Sequence, residues 1–196
     1  MNSNYTFDQP PSDLLSLYSF QQGFSKEELK KIEEDIHTLP WQVASTTGGE
    51  KEMRKSNIKW IPQHDNFFWL YERLANMAVE ANNRLWKFDL QQIPEQIQYT
   101  EYHAPSGHYD WHVDIGSDAL SKRKISITVQ LSESDEYEGG DLELFRGGSM
   151  NGSFIQAERN AGCVFLFPSY IMHRITPVTR GIRKSFVLWL GGSHYR

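Results

Sequence analysis

From residue 97 to residue 190 the chain reads as eight short, largely apolar segments broken by turn residues, with no helical periodicity between them. The segments fall at 97–102, 107–114, 124–131, 140–145, 153–158, 163–167, 173–178 and 183–190. Strands joined by such short connections must pair antiparallel, because a parallel crossover needs a dozen or more residues and usually a helix. This half is therefore predicted to form an antiparallel sandwich or barrel.

The first half has a different grammar. Ser25-Lys26-Glu27-Glu28 reads as a capping box opening a helix that runs to about Leu39, where Pro40 closes it. Phe67, Leu70, Leu74, Met77 and Ala78 recur at helical spacing, which predicts a second helix over 66–85. Residues 54–61 alternate like a strand. The expectation is an α+β fold: a double-stranded β-helix (jelly-roll) core with helices packed on one face. The chain of 196 residues suits one domain. It divides into a flexible tail over 1–13, a helical support region over 14–90 and a jelly-roll catalytic core over 91–196.

Composition excludes several classes. A net charge of −5 argues against nucleic acid as a partner, and no apolar run is long enough to span a bilayer. The polar first residues do not resemble a secretory signal, and the single Cys163 precludes an intrachain disulfide; both point to the cytoplasm. Lys122-Arg123-Lys124 reads as solvated loop charge.

Chemistry concentrates at two places. His112 and Asp114 form a His-x-Asp pair, and side chains at i and i+2 of a strand point the same way, so the two can grip one ion. His173 begins another strand-like segment, and two imidazoles with one carboxylate are the ligand set of a mononuclear non-haem Fe(II) centre. His108-x-Asp110 offers the same pattern four residues earlier, and spacing alone does not choose between the pairs. The second place is Arg183 with Ser185, at the head of an apolar strand. A guanidinium entering a sheet interior needs an anionic partner, and no acidic residue lies near it in sequence; a bound carboxylate would serve.

Tyr102, Gly107, Tyr109, His112-x-Asp114, Glu138-Gly139-Gly140-x-Leu142, His173 and Arg183-x-Ser185 together resemble the Fe(II)- and 2-oxoglutarate-dependent dioxygenases, in their prolyl 4-hydroxylase-like branch. The family's tyrosines, ten and three residues before the first ligand, select His112 over His108. The resemblance implies that His112, Asp114 and His173 bind Fe(II), and that Arg183 clamps the distal carboxylate of 2-oxoglutarate with hydrogen bonds from Tyr102 and Ser185. Gln130 stands where hypoxia-sensing relatives carry a cosubstrate-touching Tyr. Arg123 and Trp189 match substrate-contacting positions, and Tyr109 is a further candidate for substrate contact. The implied reaction uses O2, with ascorbate as reductant, to hydroxylate a prolyl residue of a peptide or protein, yielding succinate and CO2. A free amino acid or other small molecule is the alternative substrate. A cupin-like metal-binding module without turnover is the alternative class. Residues 115–122 are a candidate lid.

Overall fold

The computed structural model describes residues 13–44, 53–146 and 153–195. In chain order the elements are β1 (Tyr18–Phe20), α1 (Lys26–Asp35), β2 (Gln42–Val43), β3 (Arg54–Lys55), β4 (Asn57–Ile61) and α2 (Phe68–Arg84). There follow β5 (Leu90–Gln92), β6 (Ile97–His103), β7 (His108–His112), β8 (Arg123–Gln130), β9 (Tyr137–Gly139) and β10 (Leu142–Phe145). The last four are β11 (Phe154–Gln156), β12 (Val164–Pro168), β13 (His173–Ile175) and β14 (Val178–Gly192). The fold is thus mostly β-sheet with two helices.

One sheet runs in the order β1-β12-β8-β14-β6-β4-β2, with β5 and β9 also pairing β14; the other runs β11-β10-β13-β7-β3. The paired strands are antiparallel, as β8 with β14 and β7 with β13 illustrate. The larger sheet is covered on both faces, and its central strands read accordingly. In β8, Ile125, Ile127 and Val129 alternate with Ser126, Thr128 and Gln130, and all six are buried. The apolar set packs with Leu70, Leu74 and Ala78 of α2 in one core. A fully buried Leu or Ile contributes about 1.5–3 kcal/mol, so this face anchors the helix firmly. A second core lies between the sheets, where Phe165 and Phe167 of β12 meet Leu142, Leu144 and Ile175. The polar alternates of β8 face this inter-sheet space.

The capping box forms as expected: Ser25 Oγ accepts from Glu28 N–H, and the Glu28 carboxylate accepts from Ser25 N–H. α1 stops at Asp35 rather than near Leu39, and Lys59 donates its ammonium protons to the carbonyls of Ile36 and His37 just beyond it. The chain continues from there in tighter turns. α2 spans 68–84 behind a 3-10 turn, inside the expected 66–85. Of the tail expected over 1–13, residues 1–12 lie outside the described residues, while Asp13 donates its N–H to Leu85 O.

Two expectations are corrected. The strands expected at 173–178 and 183–190 instead divide at Thr176-Pro177, and β14 runs unbroken from Val178. Pro177 has no N–H for a ladder, whereas 178–181 stays extended because β9 pairs with it, Thr179 being the extra residue between the paired Val178 and Arg180. The Lys122–Lys124 cluster is not simply solvated: Arg123 and Lys124 are both buried, Lys124 over the Tyr195 ring. No described helix is long and apolar enough to cross a membrane.

Candidate active site

β7 carries the irregularity that builds the site. Tyr109 pairs with Ile175 and His112 with His173, so Asp110 and Trp111 on β7 oppose the single Arg174 on β13. This bulge breaks the alternation on which the two His-x-Asp pairs looked equivalent. Tyr109 and His112 both face the space between the sheets, and their rings stack with centroids 3.4 Å apart. His108 bonds the Ser106 carbonyl, Asp110 accepts from Trp111 N–H, and neither lines the cavity.

Asp114 follows where the strand ends, its N–H donated to Ser169 O. Its carboxylate lies 3.7 Å from His112 Nε2 and 3.6 Å from His173 Nε2, and one donor atom from each residue falls within 4.8 Å of the others. Each imidazole is held from behind. His112 Nδ1 donates to Asp110 O at 2.7 Å, and His173 Nδ1 to Ile171 O at 2.9 Å. A carbonyl can only accept, so Nδ1 carries the proton and Nε2 presents its lone pair to the centre. Burial, reinforced by the neighbouring His173, pushes the His112 pKa down to about 3, so the ring is neutral, as a metal ligand must be. Burial alone would raise the Asp114 pKa, but it lies below the ordinary value, and the Ser126 hydroxyl, donating to Oδ2 at 2.6 Å, favours the ionised carboxylate. Two imidazoles tethered through Nδ1 and an ionised carboxylate on one side of a space suit a divalent cation whose other side stays open.

That space is a cavity of about 740 Å³. Arg183 lines it from β14, opposite Tyr102 of β6 in the ladder, and is only 1% exposed. Its Nη1 donates to Ser185 Oγ at 3.0 Å and its Nη2 to Gln130 Oε1 at 2.5 Å; Nε has no partner. Both partners are neutral, so the guanidinium charge is buried without a counter-ion among the described residues. The Gly139-Gly140 turn makes room for it. Both glycines have positive φ, and a Cβ on Gly140 would lie 3.1 Å from Arg183 Cδ and 2.9 Å from a Val178 methyl.

The other sequence candidates fall on both sides of this wall. Tyr102, Tyr109, Ser185, Arg123 and Trp189 line the cavity, whereas Gln130 lies behind Arg183 and donates its amide to the Tyr137 hydroxyl at 3.1 Å. Arg123 is already engaged. It pairs with Glu95 at 2.5–2.7 Å, stacks 3.7 Å from the Trp189 ring and donates to Asp114 O. The Trp189 indole is buried beside the Asp114 carboxylate, whose ionised form it favours. Of residues 115–122, Asp118–Lys122 form a 3-10 helix, and Gly116, Ser117 and Leu120 lie on the cavity wall.

Ser126, Glu95, Arg54 and Tyr137 were not singled out from sequence. The apolar-polar alternation of 125–130 signals a polar inner face and hence Ser126. Nothing local flags Glu95, whose partner is 28 residues away.

Comparison with known proteins adds three findings. The family model of the 2OG-Fe(II) oxygenase superfamily matches residues 97–191. A PKHD-type hydroxylase of Acidovorax ebreus is 30% identical over 184 residues, covering 89% of this chain and 77% of that protein. Among solved structures, a Pseudomonas putida prolyl-4-hydroxylase superposes with a TM-score of 0.70 at 20% identity, over 90% of this chain and 92% of the other. A Trichoplax adhaerens prolyl hydroxylase, in complex with a hypoxia inducible factor peptide fragment, gives 0.72 at 14% identity, over 91% and 84%.

Proposed function

Because the chain belongs to the 2OG-Fe(II) oxygenase superfamily and is a prolyl 4-hydroxylase-like dioxygenase, we propose that it hydroxylates prolyl residues of a peptide or protein, with succinate and CO2 as coproducts. Its cofactors are Fe(II) and the cosubstrate 2-oxoglutarate; ascorbate is the reductant in this reading. The observation that carries the proposal is the buried, uncompensated Arg183 sharing one cavity with His112, Asp114 and His173. A bare metal store has no use for such a charge. The two packed sheets and the structural likenesses support a jelly-roll, which we take together with both helices as one domain.

In this reading His112, Asp114 and His173 hold Fe(II) from one side. Arg183 takes the distal carboxylate of 2-oxoglutarate through its unpartnered Nε edge, with Ser185 and Tyr102 beside it, and Gln130 braces the guanidinium from behind. Bound together, iron, cosubstrate and O2 supply an oxidant able to attack an unactivated C–H bond. Phe167, Leu120, Val187 and Trp189 give the cavity apolar wall, which keeps bulk water from that chemistry. Arg123, held by Glu95, stacks on Trp189 and fixes the Asp114 backbone, so its first effect falls on the metal ligand.

The test is incubation of proline-containing peptides with the protein, Fe(II), 2-oxoglutarate and ascorbate. The expected result is a peptide heavier by one oxygen atom, with succinate released in step. Hydroxylation of a free amino acid alone would replace the peptide by a small-molecule substrate. Metal binding with no 2-oxoglutarate turnover would refute the reading.

A further inference from the structure

Three guanidiniums and two carboxylates line the cavity among the described residues: Arg54, Arg123, Arg183, Glu95 and Asp114. Four of the five are committed. Arg123 pairs with Glu95, Asp114 belongs to the metal triad, and Arg183 is assigned to the cosubstrate. Arg54 is the remaining charge. It stands on edge strand β3 directly opposite Tyr109 in the ladder, and its guanidinium lies over the Tyr109 ring at 4.8 Å. That ring stacks in turn on the metal-ligand candidate His112. Arg54 Nε donates to Ser56 Oγ at 2.9 Å and Nη2 to Gln98 Oε1 at 2.6 Å; both acceptors are neutral, and Arg54 forms no ion pair among the described residues. Gln98 Oε1 also accepts from Thr100 Oγ1, so the carbonyl end of this cavity-lining amide is taken and its NH2 end is left to donate.

A divalent cation and a dianionic cosubstrate cancel each other. The cavity so loaded still carries the positive charge of Arg54. Partly buried charge of this kind favours an anion, and a guanidinium beside an amide donor matches a planar carboxylate. We propose that Arg54 and Gln98 form a seat for a carboxylate carried by the substrate, close to the carbon that is hydroxylated. The inference rests on the prolyl reading above and narrows it: the substrate carries an Asp or Glu side chain next to the prolyl residue, whereas a carboxylate supplied by free proline keeps the seat and replaces the peptide by a small molecule.

The experiment separates these sources and stands apart from turnover. Mn(II)- and 2-oxoglutarate-loaded protein without O2 is titrated calorimetrically with two matched pairs: a Pro-Asp peptide against its Pro-Asn counterpart, and free L-proline against prolinamide. In one pair the carboxylate member should bind roughly tenfold to a hundredfold tighter, the scale of a charge-assisted hydrogen bond. The discriminating pair identifies the source. Arg54→Gln should erase the preference, Arg54→Lys should keep part of it, and 2-oxoglutarate affinity should hold in both. The proposal is overturned if neither pair discriminates in the wild-type protein, if the preference survives in Arg54→Gln, or if 2-oxoglutarate affinity collapses with it. Admitting O2 then tests the prolyl reading separately: a preferred ligand that binds but is never hydroxylated sinks that reading and leaves the carboxylate seat standing.

Discussion

Replacing Arg183 with Met distinguishes a ligand clamp from a structural cation, because the two readings predict opposite changes in two measurements. A guanidinium has five N–H donors, and the protein uses two of them, toward Ser185 and Gln130. Nε is among those left over, so a two-point contact with a carboxylate is available. Each charge-assisted hydrogen bond is worth about 1.5–3 kcal/mol, so losing two should weaken 2-oxoglutarate binding by about 100-fold or more. The folded protein should tolerate the change. Leaving Gln130 Oε1 without its donor costs about 1–3 kcal/mol, but removing a buried charge that has no counter-ion returns several kcal/mol. The melting temperature without ligand should therefore hold or rise. Calorimetric titration of 2-oxoglutarate into Mn(II)-loaded protein, with Mn(II) affinity measured separately, reads the first effect, and thermal unfolding reads the second. Near-normal 2-oxoglutarate affinity together with a melting temperature lower by about 10 °C, which is several kcal/mol for a chain of this length, would show that Arg183 holds the sheets together instead.

Three further outcomes follow from particular contacts. Ser126→Ala removes the hydroxyl that orients the Asp114 carboxylate and should lower metal affinity about 10- to 100-fold, read by Mn(II) calorimetry. Gly140→Ala forces a side chain onto a left-handed residue at φ +64° and against Arg183 Cδ, so it should cost about 1–2 kcal/mol in thermal unfolding and also weaken 2-oxoglutarate binding. Glu28, whose carboxylate accepts from Ser25 N–H and faces Arg73, is held below its ordinary pKa of 4.5. Its contribution is therefore complete above that value and lost as pH falls through the lowered folded pKa, so wild type and Glu28→Gln should differ in melting temperature at neutral pH and converge in acid.

The sequence made most of this legible where chemistry is local. The capping box at Ser25 and the apolar stripe of α2 each act within a few residues, and each appears where it was read; of the turn read at Glu138-Gly139-Gly140, the two glycines take positive φ while Glu138 and Gly139 still pair in β9. Two things were hidden because they depend on pairing between distant segments. One was the choice between His108 and His112, which spacing left open. In the structure it turns on the bulge in β7, which exists only because β13 supplies one residue against two. The other was the start of β14, where 179–182 reads as a break between two strands until β9 pairs with it. Arg123 misled for the same reason: its partner Glu95 precedes β6, and the pair meets only once β6 and β8 flank β14 in one sheet.

The inner face of the larger sheet carries the deeper sign of function. Gln98, Thr100, Ser126, Thr128, Gln130, Ser185 and Arg183 are all buried on strands whose opposite face contributes Ile97, Tyr99, Ile125, Ile127, Val129, Phe186 and Leu188 to the helix-covered core. A sheet needing only stability would place apolar residues there, since each buried polar group must find a partner merely to break even. Several of these groups do so by bonding one another, as Ser126 with Ser169 and Gln130 with Arg183 and Tyr137. The exceptions are informative. Among the described residues Arg159 Nε, away from the cavity, and Arg183 Nε, on a cavity-lining residue, are buried donors left without an acceptor. Arg159 has a counter-ion in Asp141, whereas Arg183 has none, and a buried guanidinium with neither counter-ion nor a full set of acceptors is what a site completed by an acidic ligand requires.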